Sequence, residues 1–216
     1  MNVRRLFISF ALLGISLATP APAGAHRLDE YLQATRLSID IERVGLEIDL
    51  TAGVAVAPDV FAWIDTNRDG RISNPEGEAY ARQMLRSVVL SVDGWPVPIT
   101  LVEIRVPEFH EMSLGVGTIG VRATANISAA NAGRHQISYL NTHRSESSAY
   151  LVNALVPANP RIQLAGQRRD HAQHALTLDY TVVADAGWAR SCSLLAGLVM
   201  AGVLAFTRRP RANARP

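Results

Sequence analysis

The chain has 216 residues, one cysteine, and 21 Lys+Arg against 19 Asp+Glu, a formal net charge of +2. A single thiol excludes an intrachain disulfide, so any exported part must stand on its hydrophobic core. The basic excess sits largely at the two termini and no basic stripe with interleaved aromatics crosses the body, which argues against nucleic acid as a partner.

The first residues, Met1 to Arg5, are basic; an apolar run from Leu6 to Leu17 follows, and then Ala23-Gly24-Ala25. A charged n-region, an apolar h-region and a small-x-small site predict a secretory signal at residues 1–25, cleaved after Ala25. From Tyr31 the hydropathy has period two. Leu37, Ile39 and Ile41 alternate with polar residues, and so do Val44, Leu46, Ile48 and Leu50. This predicts a hairpin across Glu42-Arg43 with Ile41 opposite Val44, Ile39 opposite Leu46 and Leu37 opposite Ile48. Pro58 then opens a short predicted helix with Val60, Phe61 and Ile64 on its apolar side.

The next stretch, Asp65-Thr66-Asn67-Arg68-Asp69-Gly70-Arg71-Ile72-Ser73-Asn74-Pro75-Glu76, fits the EF-hand calcium-loop pattern D-x-[DN]-x-[DN]-G-x5-E. Calcium is a hard cation taking about six to eight oxygen ligands. Asp65, Asn67 and Asp69 offer side-chain oxygens, and Arg71 offers its carbonyl. Ser73 ligates directly or through water, and Glu76 binds with both carboxylate oxygens. Gly70 permits the sharp turn. Arg68 and Arg71 oppose the ion, which sets an expected affinity in the extracellular range of about 10⁻⁴ to 10⁻³ M. Magnesium fits less well, since it keeps its waters and demands tight octahedral geometry. Asn74 is expected to cap the exiting helix, with Pro75 at its first position and Tyr80, Met84, Leu85 and Val88 as its core stripe. The helical insertion spans residues 58–88.

Strands are then expected at Val88–Val92, at Val97–Val106 with a bulge near Leu101-Val102, and at Ile119–Ile127. Asp93-Gly94 marks a turn and Pro107–Met112 a loop. Further strands are expected at His135–Asn141, Ala149–Val156 and Ala172–Val183. About eight strands with one helical insertion predict a mainly β fold, a β-sandwich over residues 26–184. The uncharged stretch from Ser191 to Thr207, with Trp188 before it and arginines after it, predicts one membrane span at residues 188–207. At about 1.5 Å per residue it is a short one, near 25 Å. Residues 208–216 form a basic tail on the cytoplasmic side. The order polar linker, Cys192, apolar span, basic tail also resembles bacterial tripartite sorting tails that are processed at such a cysteine.

The calcium loop has no twin in the sequence. Sensor EF-hands come in pairs joined at loop position 8, here Ile72, so a structural clip is expected rather than a switch. A rival metal reading starts from His26, the expected mature N-terminus, whose amine and ring chelate copper when a second histidine joins from His110, His135 or His143. His171 and His174, placed on one predicted strand, face opposite sides and make a poor ligand pair. Ser147 with His143 is the one nucleophile–base pairing worth naming. No nucleophile elbow, HExxH or phosphate loop is present, so no enzyme is expected.

His26-Arg27-Leu28-Asp29-Glu30-Tyr31-Leu32-Gln33-Ala34, the run Tyr150-Leu151-Val152-Asn153-Ala154-Leu155-Val156-Pro157 and the calcium loop together resemble the exported domains fused ahead of HupE/UreJ-type bacterial membrane proteins. The resemblance runs from about His26 to Val183. Those proteins carry several membrane helices and are linked to metal transport, often of nickel; here one terminal span stands in their place. The resemblance implies an accessory or ligand-presenting module. The expected function is therefore a calcium-binding, membrane-anchored exported domain, periplasmic or at the cell surface. The alternative is an exported copper- or nickel-handling domain serving a membrane transporter.

Overall fold

The computed structural model describes residues 29–128 and 131–184. The signal segment, His26, the apolar run with Cys192 and the basic tail lie outside them. Among the described residues no helix is long and apolar enough to cross a membrane.

Among the described residues the fold is mainly β, with ten strands in two five-stranded sheets. The strands are β1 (Tyr31–Ile39), β2 (Arg43–Ala52), β3 (Val88–Val92), β4 (Trp95–Pro96), β5 (Thr100–Arg105), β6 (Thr118–Asn126), β7 (Gly133–Asn141), β8 (Ser148–Ala154), β9 (Ile162–Arg169) and β10 (Ala175–Val182). One sheet runs β5-β6-β2-β1-β8 and the other β4-β3-β7-β10-β9. The alternating apolar residues of both sheets form one core: Leu37, Leu46, Ile48 and Val121 meet Leu90, Ile137, Leu178 and Tyr180. Neighbours are antiparallel except β1 and β8, which pair in parallel.

The first hairpin forms in a different register. Ile39 opposes Val44 and Leu37 opposes Leu46, with Asp40, Ile41 and Glu42 making the turn. Asp40 N–H donates to the Arg43 carbonyl (2.8 Å) and the Asp40 carboxylate accepts the Ile41 N–H (2.8 Å). Asp40 supplies the turn chemistry that Glu42-Arg43 lacks. The slip is by an even number of residues, so the same side chains remain inside.

The expected strand at Val97–Val106 is divided. Asp93 (φ 52°) and Gly94 (φ 83°) form a tight turn, β4 pairs back on β3, and the chain then crosses to the other sheet as β5. Pro96 and Pro98 remove two ladder donors and separate the halves. The bulge falls between Leu101 and Glu103, where it was expected. Two further elements depart from expectation. Phe109–Ser113, expected as loop, is a short helix, α3, with a Glu108/Glu111 capping box. The region expected as one strand from Ala172 belongs to a β9–β10 hairpin, so His171 and His174 sit in its turn and not on a strand.

Gly117 follows α3. A Cβ there would lie 2.7 Å from the Met112 backbone nitrogen and 2.9 Å from the Glu111 carbonyl carbon. Backbone cannot yield as a side-chain tip can, so Gly117→Ala is expected to cost about 1–3 kcal/mol in urea unfolding. An unchanged midpoint would show that this turn re-forms freely.

Candidate metal centre

Between β2 and β3 the chain leaves the sheets as a helix–loop–helix. The first helix, α1 (Ala57–Ile64), has proline in its first turn and buries Ala57, Val60, Phe61 and Ile64. The second, α2 (Asn74–Leu85), buries Gly77, Tyr80, Ala81, Met84 and Leu85. Its cap is Ser73, one residue earlier than expected, in a capping box with Glu76. Asn74 is already helical, because Ser73 with a glutamate three residues on satisfies more of the orphan N–H groups. Val88, expected to complete the stripe of α2, begins β3.

The loop Asp65–Glu76 turns its acceptors onto its own backbone. Asp65 is buried (6% exposed), and its oxygens accept the N–H groups of Asp69 (3.2 Å) and Gly70 (2.9 Å). Asn67 Oδ1 accepts a second bond from Asp69 N–H (2.9 Å), and Asp69 accepts from Arg71 N–H (2.9 Å). Gly70 has φ +82° and Arg68 φ 60°, so the turn is left-handed at both positions. Glu76 reaches back across the loop. One oxygen accepts from Thr66 N–H (2.9 Å), Thr66 hydroxyl (2.9 Å) and Asn67 N–H (3.2 Å). The other accepts from Ser73 N–H (3.0 Å) and Ser73 hydroxyl (2.7 Å). The Ser73 N–H first, then its hydroxyl, with Asn67 and Thr66 adding to them, hold the Glu76 carboxyl down to about 2. The carboxylate is therefore charged at every ordinary pH.

The loop thus brings Asp65, Asn67 and Asp69 together and folds Glu76 and Ser73 against each other. Among the described residues no three His, Cys, Asp or Glu side chains converge closely enough to hold an ion as they stand. Thr66, which the spacing pattern leaves unspecified, holds Glu76 with both its N–H and its hydroxyl. Ile72 packs against the domain's own core.

Behind the loop lies a polar network that links the insertion to both sheets. Tyr80 of α2 sits between Tyr31 of β1 (Oη to Oη 2.9 Å) and His143 Nε2 (3.1 Å). Burial, then the Arg144 guanidinium, push His143 down to about 4, against the pull of Glu146. The ring is neutral at pH 7 and shares a hydrogen bond with the Tyr80 hydroxyl. The His143 carbonyl accepts from Gln33 Nε2 (2.7 Å) and the Tyr150 hydroxyl (2.8 Å), and Gln33 Oε1 accepts from Asn141 (2.9 Å). Thr35 and Tyr139 share a 2.8 Å bond between hydroxyls. From α1, Trp63 meets Tyr31 edge-on (6.2 Å) and lies under the Arg144 guanidinium (3.8 Å). Sequence spacing does not single out these residues, although Gln33 and Thr35 occupy the inward phase of β1, an unusual place for polar side chains.

The other candidates separate. His143 is buried and spoken for by Tyr80. Ser147 donates to the Arg144 carbonyl and not to an imidazole, so the two form no nucleophile–base pair. His135 stands at the opposite end of the sheets, bonded to Asp93 (2.7 Å). His110 lies on α3, beside the insertion. His174 Nδ1 is 2.6 Å from the Asp170 carboxylate. No protein-family model matches the chain, and the comparison with curated proteins gives no match.

Proposed function

We propose that this chain is an exported, membrane-anchored β-sandwich in which Asp65–Glu76 is an EF-hand that holds calcium as a structural clip. The observation that carries the reading is Asp65, the one buried carboxylate among the described residues. Buried charges need a partner or a cation. Its hydrogen bonds come from two backbone N–H groups, which shape the loop and leave lone pairs free. Asn67, Asp69 and the Arg71 carbonyl complete one side of the site. Ser73 and Glu76 complete the other, Glu76 exchanging its loop donors for the ion.

Clip rather than switch follows from the surroundings. Position 8 is used by the core, and Tyr80 and Trp63 tie both helices down. The basic and apolar start of the chain and the uncharged run at residues 191–207 support export and a single anchor. An accessory or binding module, rather than an enzyme, fits this arrangement.

The test is thermal melting of the purified chain in calcium, magnesium, copper and nickel. With a dissociation constant of about 10⁻⁴ to 10⁻³ M, roughly 10 mM calcium should add about 1.4–2.7 kcal/mol. That raises Tm by roughly 3–10 °C. Asp65→Ala with Glu76→Ala should remove the shift. No shift in calcium, or a larger one in copper that is lost when the N-terminal amine is blocked, would overturn the reading.

A further inference from the structure

The strand registers sort the loops into two ends. The end bearing the helix–loop–helix also holds the start of β1, the end of β2 and the β7–β8 connection. The opposite end gathers the β1–β2 turn, the end of β6, the start of β7, the end of β8 and the last residues of β10. The described chain leaves from this second end. Val183 is fixed there by two bonds to Arg161: its N–H donates to the Arg161 carbonyl (2.7 Å) and its carbonyl accepts from Arg161 Nε (3.0 Å).

This exit end exposes several large apolar side chains. Val156 is 89% exposed and Trp95 76%, with Leu155 and Val183 also exposed. Trp95 follows a turn that is pinned in place, because Asp93 accepts from Gln136 N–H (2.8 Å) and bonds His135. The charges beside these residues balance, Arg43, Arg134 and Arg161 against Asp40, Glu42 and Asp93. The other end exposes Val54, Leu114 and Val116 as well, so exposure alone does not choose between the ends.

The tether chooses. Between Ala184 and the uncharged run at Ser191 stand only Asp185 to Arg190. Fully extended, that stretch spans at most about 25 Å. A ten-residue strand such as β2 is itself about 33 Å long. The exit end is therefore held near the bilayer, and the helix–loop–helix is carried away from it. Tryptophan on a rigid turn suits the headgroup region, and the exposed Leu155, Val156 and Val183 add apolar area that lipid can cover.

We propose that the exit end of the domain, through Trp95, Leu155, Val156 and Val183, rests on the lipid surface beside the chain's own anchor, with the calcium loop facing away from the membrane. This rests on reading residues 191–207 as a membrane span. Because the local charges cancel, apolar contact and the indole supply the attraction, and anionic lipid is not required.

Spin labels on the full chain, reconstituted in phosphatidylcholine vesicles, test both layers. In a Cys192→Ser background, single labels are placed by Val199→Cys, Val156→Cys and Leu114→Cys, and collision with a water-soluble nickel chelate is compared with collision with oxygen. Label 199 is expected deep in the bilayer. Label 156 is expected at headgroup depth, with nickel accessibility several-fold below that of label 114, which stays in water. If label 199 is deep while label 156 is as accessible as label 114, the docking surface is wrong and the anchor stands. If label 199 is itself in water, both are wrong.

Discussion

Tyr80→Ala is expected to destabilise the domain by about 3–5 kcal/mol, the cost of truncating a buried aromatic. Net stabilities of about 5–15 kcal/mol make this a large fraction of what holds the fold. The ring is buried on the inner face of α2, and its hydroxyl joins Tyr31 to His143. Tyr80→Phe separates the two contributions. It keeps the ring but leaves two buried polar atoms short of a partner, at about 1–3 kcal/mol. Tyr31→Phe in the same background should then cost much less than it does alone, since the partner is already gone. A double-mutant cycle on urea midpoints measures this coupling; strict additivity would show that the bridge contributes nothing. The effect is structural at one remove from the candidate site, because α2 is the helix that carries Glu76 in its first turn. Loss of Tyr80 should loosen the loop as well as the sheets.

How far this arrangement is legible in the sequence depends on the range of the interactions. β1, β2 and β6 are legible because one face is buried and the other is not, so hydropathy alternates. The Asp65–Glu76 loop is legible because its Asp, Asn and Glu side chains are spaced by local backbone geometry. β9 is not, because it is an edge strand: from Gly166 to Arg169 it is exposed throughout and has no alternation to detect. The division of β4 from β5 is half legible. Pro96 and Pro98 mark the break, but nothing local says that the chain then changes sheets. The parallel pairing of β1 with β8 is invisible to any window, since over a hundred residues separate Tyr31 from its partner Ser148. The network around His143 fails for the same reason. Gln33, Tyr80 and the Asn141–His143 stretch come from three separate segments, and only the fold makes them neighbours.

Acidification is expected to weaken the domain through His143. Its value in the folded chain is about 4, below the ordinary 6.5. Between those limits the unfolded chain takes up a proton that the folded chain refuses. Stability is therefore intact above pH 6.5 and falls as the pH drops toward 4. The slope is about 1.4 kcal/mol per pH unit, so moving from about pH 6.5 to 4.5 removes roughly 2–3 kcal/mol. The cause is burial first and the Arg144 cation second. His135 acts in the opposite sense. Its bond to Asp93 raises its value, so its contribution is present at low pH and fades as the pH rises through that raised value. It offsets part of the loss. The depressed carboxylates, Asp40, Glu76, Asp93, Asp170 and Asp179, add to the loss only at the acid end, as the pH falls through their lowered values. Urea midpoints measured across this range in the native chain and in His143→Gln isolate the term. Glutamine keeps a polar group near Tyr80 but does not titrate. The variant should start less stable at neutral pH and lose much less on acidification, so that the two curves converge near pH 4. Parallel curves would mean that His143 takes up its proton without opposing the fold, and that the burial around Tyr80 is less complete than its contacts imply.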